Sequence, residues 1–293
     1  MKINGIIDGA VALVICAVLW STGGIFFKNI ELNGLAIAGI RSLIAGTFMS
    51  LATRQRFQFS VRSENGRTDR QSTLFFWIAS ISYSLTMILF VTANKLTTSA
   101  NAILLQYTCP IYIILLAPAL NGEKNRASDY ITVLGVMFGI VLFFADGLES
   151  GNQLGNILAA LSGLSYAISI IFMRRCRGNS GGAMMLSHLI TAVVCLPFVI
   201  QSGIPSAKSC FFLLLVGIVT IGIPSILYTI GIKKVRALTS SFITMLEPLL
   251  NPVWVIIFAG EVPSIKTILG GILILGFIMI RSVVQNKNRL PNK

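Results

Sequence analysis

Apolar residues in this chain come in long runs, and the charged residues are gathered into the short stretches between them. Crossing the hydrocarbon core of a bilayer takes about 20 residues of α-helix, and ten runs approach that length. Segments 1 to 3 cover 9–27, 32–53 and 71–94. Segment 4 lies between Lys95 and Glu123, segment 5 covers 130–145 and segment 6 covers 150–173. Segment 7 lies between Gly178 and Ala207, segments 8 and 9 cover 209–232 and 237–260, and segment 10 centres on 267–280. Backbone groups in lipid must bond internally, and the runs lack the alternation of barrel strands, so the pattern predicts helices. The expected fold is an all-α integral membrane protein with ten transmembrane helices. Segment 1 follows Lys2 as an export signal does, but its length and the nine later spans make it an uncleaved first helix. The longest connection, 54–70, is too short for a core of its own.

Composition agrees with this pattern. Of 293 residues 55% are hydrophobic and 11% charged, with a mean hydropathy of +0.83; soluble domains carry about 25% charge. A water-soluble globule and a disordered chain are both excluded. The net charge of +13 would suit a nucleic-acid partner only if the basic residues shared one folded face. Instead they mark orientation. Lys28, Lys95, Lys208 and Lys266 fall on one side and Arg41 inside the membrane, while every other Lys and Arg falls on the side of the two termini. Basic loops stay inside, so both ends are expected in the cytoplasm of a multi-pass cell-membrane protein. The five cysteines, Cys16, Cys109, Cys176, Cys195 and Cys210, show neither a disulfide frame nor a metal-ligand spacing and read as small core residues.

The second half of the chain repeats the first. Segment 9 lies on segment 4 at a constant offset, with Lys233 on Lys95, Pro248 on Pro110, Gly260 on Gly122 and Glu261 on Glu123. Segment 6 lies on segment 1, with Tyr166 on Trp20, Phe172 on Phe26 and Arg174 on Lys28. Segment 7 lies on segment 2, with Gly181 on Gly34, Ala183 on Ala36, Ala192 on Ala45 and His188 on Arg41. The same order in three places points to duplication. The expected units are residues 1–146, residues 147–284 and a cytoplasmic tail, 285–293. Five spans per unit is an odd number, so the second unit enters the membrane from the opposite side. Inverted repeats of this kind are a recurrent transporter design.

Leu19-Trp20-Ser21 closing on Lys28, Arg41-Ser42-Leu43, and Pro110 followed by Gly122-Glu123 resemble the first half of an EamA-type transporter of the drug/metabolite transporter superfamily. The likeness continues through Glu247-Pro248-Leu249-Leu250, Gly260-Glu261 and Leu269-Gly270-Gly271. It covers nearly the whole chain and implies a ten-helix transporter, commonly an exporter of amino acids or other metabolites; aromatic amino acid exporters belong to the same superfamily.

Charged side chains at mid-membrane are costly and normally face a cavity or a partner. Arg41 and Glu247 are such residues, at depths compatible with pairing, and serve either as a static ion pair or as lining of a solute path. Ser240, Thr244, Glu247 and Asn251 share one helical face, whereas the corresponding Ala102, Gln106, Cys109 and Ile113 are less polar. Pro110, Pro118, Pro248 and Pro252 each remove a backbone donor, so segments 4 and 9 are expected to bend beside the site, with Pro110, Pro248 and Pro252 as the gating bends. His188 is the only histidine and is either a packing residue or a proton carrier. Trp20 and Tyr166 are candidate opposing walls of a pocket, among aromatics that also include Tyr83, Tyr107 and Tyr228. Segments 5 and 10, nearly all apolar with a GxxxG spacing at Gly135 and Gly139, read as scaffold helices.

No nucleotide loop, metal cluster or catalytic triad is visible, so no cofactor, metal or catalytic residue is expected. The expected function is secondary-active or facilitative transport by alternating access, exporting a small metabolite such as an amino acid. Efflux of cationic drugs is the alternative; an intramembrane enzyme using Glu247 and His188, or a membrane scaffold, is more distant. The partners are a small-molecule substrate and the lipid bilayer, with proton coupling and a homodimer left open and no nucleic acid.

Overall fold

Prolines and glycines break the apolar runs at points the charges do not mark. The computed structural model describes residues 8–23, 26, 29–62, 67–148, 152–176, 179–259 and 264–287. Among these residues fourteen helices are formed: α1 (Gly9–Ser21), α2 (Gly34–Thr53), α3 (Arg70–Leu96), α4 (Ser99–Gln106), α5 (Cys109–Asn121), α6 (Ala127–Phe143), α7 (Gln153–Arg175), α8 (Ser180–Val194), α9 (Leu196–Gln201), α10 (Ala207–Leu215), α11 (Ile223–Lys234), α12 (Ala237–Thr244), α13 (Leu246–Ala259) and α14 (Ile265–Lys287). A π-helical turn, Val216–Gly222, joins α10 to α11.

The exposed amides at several helix starts have side-chain acceptors. Asp8 accepts from Ala10, Asn33 from Leu35, Asp69 from Ser72, Thr98 from Asn101, Asn152 from Leu154 and Ser206 from Ser209. Capping of this kind satisfies donors that the helix itself leaves over. At its far end α5 stops at Gly122, whose φ of 66° would strain any residue with a Cβ.

Among the described residues, five helical stretches are long and apolar enough to cross a membrane: Gly34–Thr53, Arg70–Leu96, Ala100–Asn121, Gln153–Arg175 and Ala207–Lys234. Shorter apolar helices cover Gly9–Ser21, Ala127–Phe143, Ser180–Val194 and Ala237–Leu250. The outer surface is apolar: Leu134, Ile200 and Phe138 are 71%, 71% and 64% exposed. The interior holds hydroxyls, and Ser80, Ser162, Ser169 and Thr191 are fully buried. Ser80 donates to the Ala183 carbonyl across the α3–α8 contact (3.0 Å), and Thr191 donates to Ser84 (2.9 Å). Apolar surface on this scale is an aggregation hazard in water, but it suits a lipid solvent in which polar groups bond between helices.

Four helix pairs make the main contacts: α3 with α7, α6 with α14, α1 with α11 and α2 with α8. Glycine allows the closest of these. A Cβ on Gly9 would overlap Lys234 at the end of α11, and one on Gly155 would meet the Leu96 backbone at the end of α3 at 2.9 Å. The first turn of α1 and the first turn of α7 are thus seated in the same way. Segments 5 and 10, read as scaffold helices, become α6 and α14, which meet through Gly139 and Gly270.

Segments 4, 7 and 9 each run as two helices rather than one. Segment 4 is divided at Tyr107 and Thr108, segment 7 at Cys195 and segment 9 at Met245; each break lies two or three residues before a proline, which cannot donate to the carbonyl four residues back and whose ring crowds it. The described part of the 54–70 connection makes contacts of its own. It carries a bridge between Arg62 and Thr68, buries Val61, and its Phe59 carbonyl accepts from Trp77 on α3 at 2.9 Å.

Cys16, Cys109, Cys176 and Cys195 are buried and Cys210 is exposed, so the core reading fits four of the five. In mild detergent a maleimide is expected to modify Cys210 alone. Modification of the other four should wait for denaturation; rapid labelling of any of them in the folded protein would contradict this packing.

Candidate functional site

The breaks in segments 4 and 9 create the site. Pro110 and Pro248 stand in the first turns of α5 and α13, and neither can donate to the carbonyl four residues back, Gln106 or Thr244. Segment 6 passes close to the first break: α7 approaches with Gly163, where a Cβ would stand 2.6 Å from the Gln106 carbonyl oxygen. Glu247 lies in the first turn of α13, where the positive end of the helix dipole favours a carboxylate. Tyr107, in the break between α4 and α5, donates its hydroxyl to Glu247 Oε2 at 3.0 Å. The two broken helices therefore meet through a charge-assisted hydrogen bond.

Around this point lies a cluster of rings from both halves of the chain. Trp20 contacts Tyr228 with centroids 5.4 Å apart, and Tyr228 stacks on Tyr166 at 6.3 Å. Tyr83 reaches Tyr166 at 6.3 Å, Tyr228 at 6.4 Å and, edge-on, His188 at 6.2 Å. Trp20 and Tyr166 do not face each other directly, because Tyr228 sits between them. The Tyr166 and Tyr228 hydroxyls are within mutual electrostatic reach, and Tyr166 also senses Thr244. Neither hydroxyl makes a hydrogen bond of good geometry, although both are sealed from solvent. Buried polar atoms without such a bond are uncommon and call for an explanation.

His188 is buried on α8; its Nε2 pairs with Ser225 at 3.0 Å, and its Nδ1 has no partner. Arg41 is buried on α2, directs Nη2 at Met87 Sδ at 3.9 Å, and interacts electrostatically with Glu247 and Tyr83. Ser240 and Thr244 are buried but return their hydroxyls to their own helix, Ser240 to the Arg236 carbonyl at 3.1 Å and Thr244 to the Ser241 carbonyl at 2.9 Å. The helical face expected to join them to Glu247 is interrupted at Met245. The side chains of Asn251 and Pro252 lie outside the described residues, as do Lys28, Gly260 and Glu261. Among the described residues, no three His, Cys, Asp or Glu side chains converge on a metal position.

Several of these residues escape a reading of the sequence. Tyr107 carries a signal, standing two positions before Cys109, which is the repeat equivalent of Glu247. Tyr83 and Tyr228 carry none beyond being aromatic at a similar depth. Trp254, whose Nε1 donates to Ser21 at 2.8 Å across the α1–α13 contact, is equally silent.

A second polar cluster closes one end of the bundle. Asp129, fully buried in the first turn of α6, accepts from Arg281 Nε at 2.8 Å and from Arg236 Nη1 at 3.2 Å. Glu123 lies 3.2 Å from Arg174 Nε and 3.6 Å from Arg236 Nε. Arg236 also donates to the Lys124 carbonyl at 2.8 Å, Arg281 to Thr239 at 3.1 Å, and Arg174 to the Ile232 and Val235 carbonyls. At the opposite end, Thr97 donates to Asn156 at 2.7 Å, and an exposed pair joins Lys266 to Asp146 at 2.6 Å. The Lys266 hydrogen bond there holds the Asp146 carboxyl below the usual carboxylate range.

Comparison with known proteins places this chain in a family. A chain of Archaeoglobus fulgidus described as an uncharacterized transporter is 27% identical over 274 residues, covering 93% of this chain and 95% of its own. An uncharacterized transporter of Bacillus subtilis, YcbK, is 26% identical over 198 residues, 62% of each chain. A solved crystal structure shares the fold with a TM-score of 0.77 at 19% identity, covering 94% of this chain and 98% of the other. The sequence model of the EamA-like transporter family matches residues 8–145 and again 153–283. The chain therefore belongs to the EamA-like transporter family, within the drug/metabolite transporter superfamily, and is a multi-pass membrane protein.

Proposed function

We propose that the chain carries a small zwitterionic metabolite, such as an amino acid, out of the cell by alternating access, as a secondary-active or facilitative transporter. Its two units, residues 1–146 and 147–284, act as inverted five-helix halves with both termini in the cytoplasm. The observation that carries this reading is the convergence of polar and aromatic groups from both halves on the paired helix breaks. Tyr107, Tyr83, Trp20 and Arg41 come from the first half, and Tyr166, His188, Tyr228 and Glu247 from the second. The pattern of helix contacts supports it too. Exchanging the halves turns α3 with α7 into α11 with α1, and returns α2 with α8 and α6 with α14 to themselves.

In this reading Arg41 balances a substrate carboxylate and Glu247 an amine. Tyr166, Tyr228 and His188 offer the bonding atoms left without good partners, and Ser240 and Thr244 release their helix bonds to the substrate. Solute enters by displacing Tyr107 from Glu247, with Pro110, Pro248 and Pro252 letting the broken helices swing. Glu247 is the group placed to carry a coupling proton. A second reading, efflux of organic cations, draws on the same carboxylate among aromatic rings, since ring faces attract cations.

Flux into proteoliposomes of a panel of amino acids, nucleosides and cationic drugs, with and without a pH gradient, tests both. Saturable uptake of a zwitterion is expected; uptake of cations alone selects the second reading, and no uptake of any solute rejects transport by this site.

A further inference from the structure

Among the described residues, the ion pairs that close one end of the bundle are sorted by half. Both acids, Glu123 and Asp129, come from the first half, and all three bases, Arg174, Arg236 and Arg281, come from the second. A merely solvated surface has no reason to pair its charges this way, and the inner members are not solvated: Asp129 is 0% exposed and Arg281 3%, while the Glu123, Arg174 and Arg236 side chains are 12%, 20% and 24% exposed.

Burying ion pairs is a poor way to gain stability. Desolvation consumes most of the Coulomb attraction, and apolar residues of similar size hold a static interface as well or better. A charged interface has an advantage when it must open. Parted apolar faces stay costly in water, whereas parted charges recover hydration, so the closed and open arrangements stay close in free energy. Near-equality of two arrangements is what a two-state element needs.

The cluster is also graded in depth. Asp129 and Arg281 form the deep, well-aligned pair at 2.8 Å. Glu123 and Arg174 lie at the border of a cavity of about 370 Å³, lined by Leu120, Asn121, Gly122 and Arg175 as well. There Glu123 Oε1 and Arg174 Nε, though 3.2 Å apart, lack a well-directed hydrogen bond, and Asn121 Oδ1 has none. Water in this cavity is positioned to replace the outer pair first.

We propose that Glu123 and Asp129 with Arg174, Arg236 and Arg281 form an ion-pair latch that joins the two halves at this end and must part before the central site can be reached from it. The inference rests on the two-half alternating-access reading. Separation starts at Glu123–Arg174 beside the cavity and ends at Asp129–Arg281. The opposite end, joined by the neutral Thr97–Asn156 bond and the exposed Lys266–Asp146 pair, has no comparable buried charge among the described contacts.

Cys109 supplies a native reporter. It is buried beside Pro110, within electrostatic reach of Tyr166 and Tyr228. The other four cysteines are replaced in the full chain (Cys16→Ala, Cys176→Ser, Cys195→Ala, Cys210→Ser), and the protein is placed in sealed vesicles of each orientation. The rate of modification of Cys109 by a membrane-impermeant maleimide is then measured. A parallel series that retains Cys210 reports which face is outside.

Asp129→Asn and Glu123→Gln are each expected to speed labelling from the latch face by about tenfold or more, the population change that loss of a differential contact produces. Labelling from the other face should not increase. Arg236→Gln should behave alike, and Arg236→Lys, which keeps the charge, should stay within about threefold of the parent. Unchanged labelling in folded Glu123→Gln and Arg236→Gln overturns the latch, and so does equal acceleration from both faces. If Asp129→Asn does not fold, these two variants decide. The readout needs no substrate. A parent that moves no solute but shows gated labelling rejects the proposed function and retains the latch, whereas solute flux with ungated labelling does the reverse.

Discussion

Glu247→Gln is expected to lower solute flux by about 2- to 30-fold while leaving protein abundance and melting unchanged. Glutamine fills the same space, and its amide oxygen can accept the Tyr107 hydroxyl that Glu247 Oε2 accepts now. What disappears is the charge. A hydrogen bond to a charged group contributes about 1.5–3 kcal/mol where a neutral one contributes about 1, and a difference of about 1.4 kcal/mol is tenfold. Folding should not suffer, because a lone carboxylate costs more to desolvate than an amide. The measurement is initial flux per folded protein in proteoliposomes, with thermal melting in detergent beside it. Flux within about twofold of the parent would remove Glu247 from the site.

Gly270→Val is expected to have the larger effect on folding. A Cβ at this position would stand 2.6 Å from the Gly139 carbonyl oxygen and would overlap the Phe143 backbone. Backbone on both sides cannot rotate away as a side chain can, so the helices must separate. Overpacking typically costs about 1–3 kcal/mol and occasionally more, and the upper end applies here. Separation of α6 from α14 would also part Asp129 from Arg281, leaving charges buried without partners. Gly276 on the same helix is the control, since a Cβ there meets nothing within 4 Å; Gly276→Ala should lie within about 0.5 kcal/mol of the parent. Equal melting of the two variants would show that the α6–α14 contact is not needed for the fold.

The sequence makes part of the site legible and conceals the rest for identifiable reasons. Arg41 and Glu247 are visible because an isolated charge in an apolar run is costly wherever its helix faces. Trp20, Tyr166 and His188 are marked by the alignment of one half on the other. Tyr83 and Tyr228 resemble any other buried tyrosine along the chain, and only the packing of α3, α7, α8 and α11 brings their rings together with Tyr166 and His188. Asp129 and Arg281 mislead more strongly. Each borders an apolar segment, where a charge ordinarily marks the water boundary, yet the close approach of α6 and α14 covers both. Ser240 and Thr244 lie inside as their spacing suggests, but the break at Met245 removes them from a common straight face with Glu247.

By itself the sequence determined that this chain lives in lipid, which stretches are apolar helices and that its halves are related. These properties are sums over neighbouring residues, since transfer from water to hydrocarbon is paid residue by residue along the chain. Tertiary structure alone decided which polar side chains meet: Tyr107 with Glu247, four aromatic rings with one histidine, and acids of one half with bases of the other. Those meetings depend on how each helix is rotated about its axis and where it breaks. Rotation and breakage are settled by contacts between segments far apart in the chain, which no local pattern encodes.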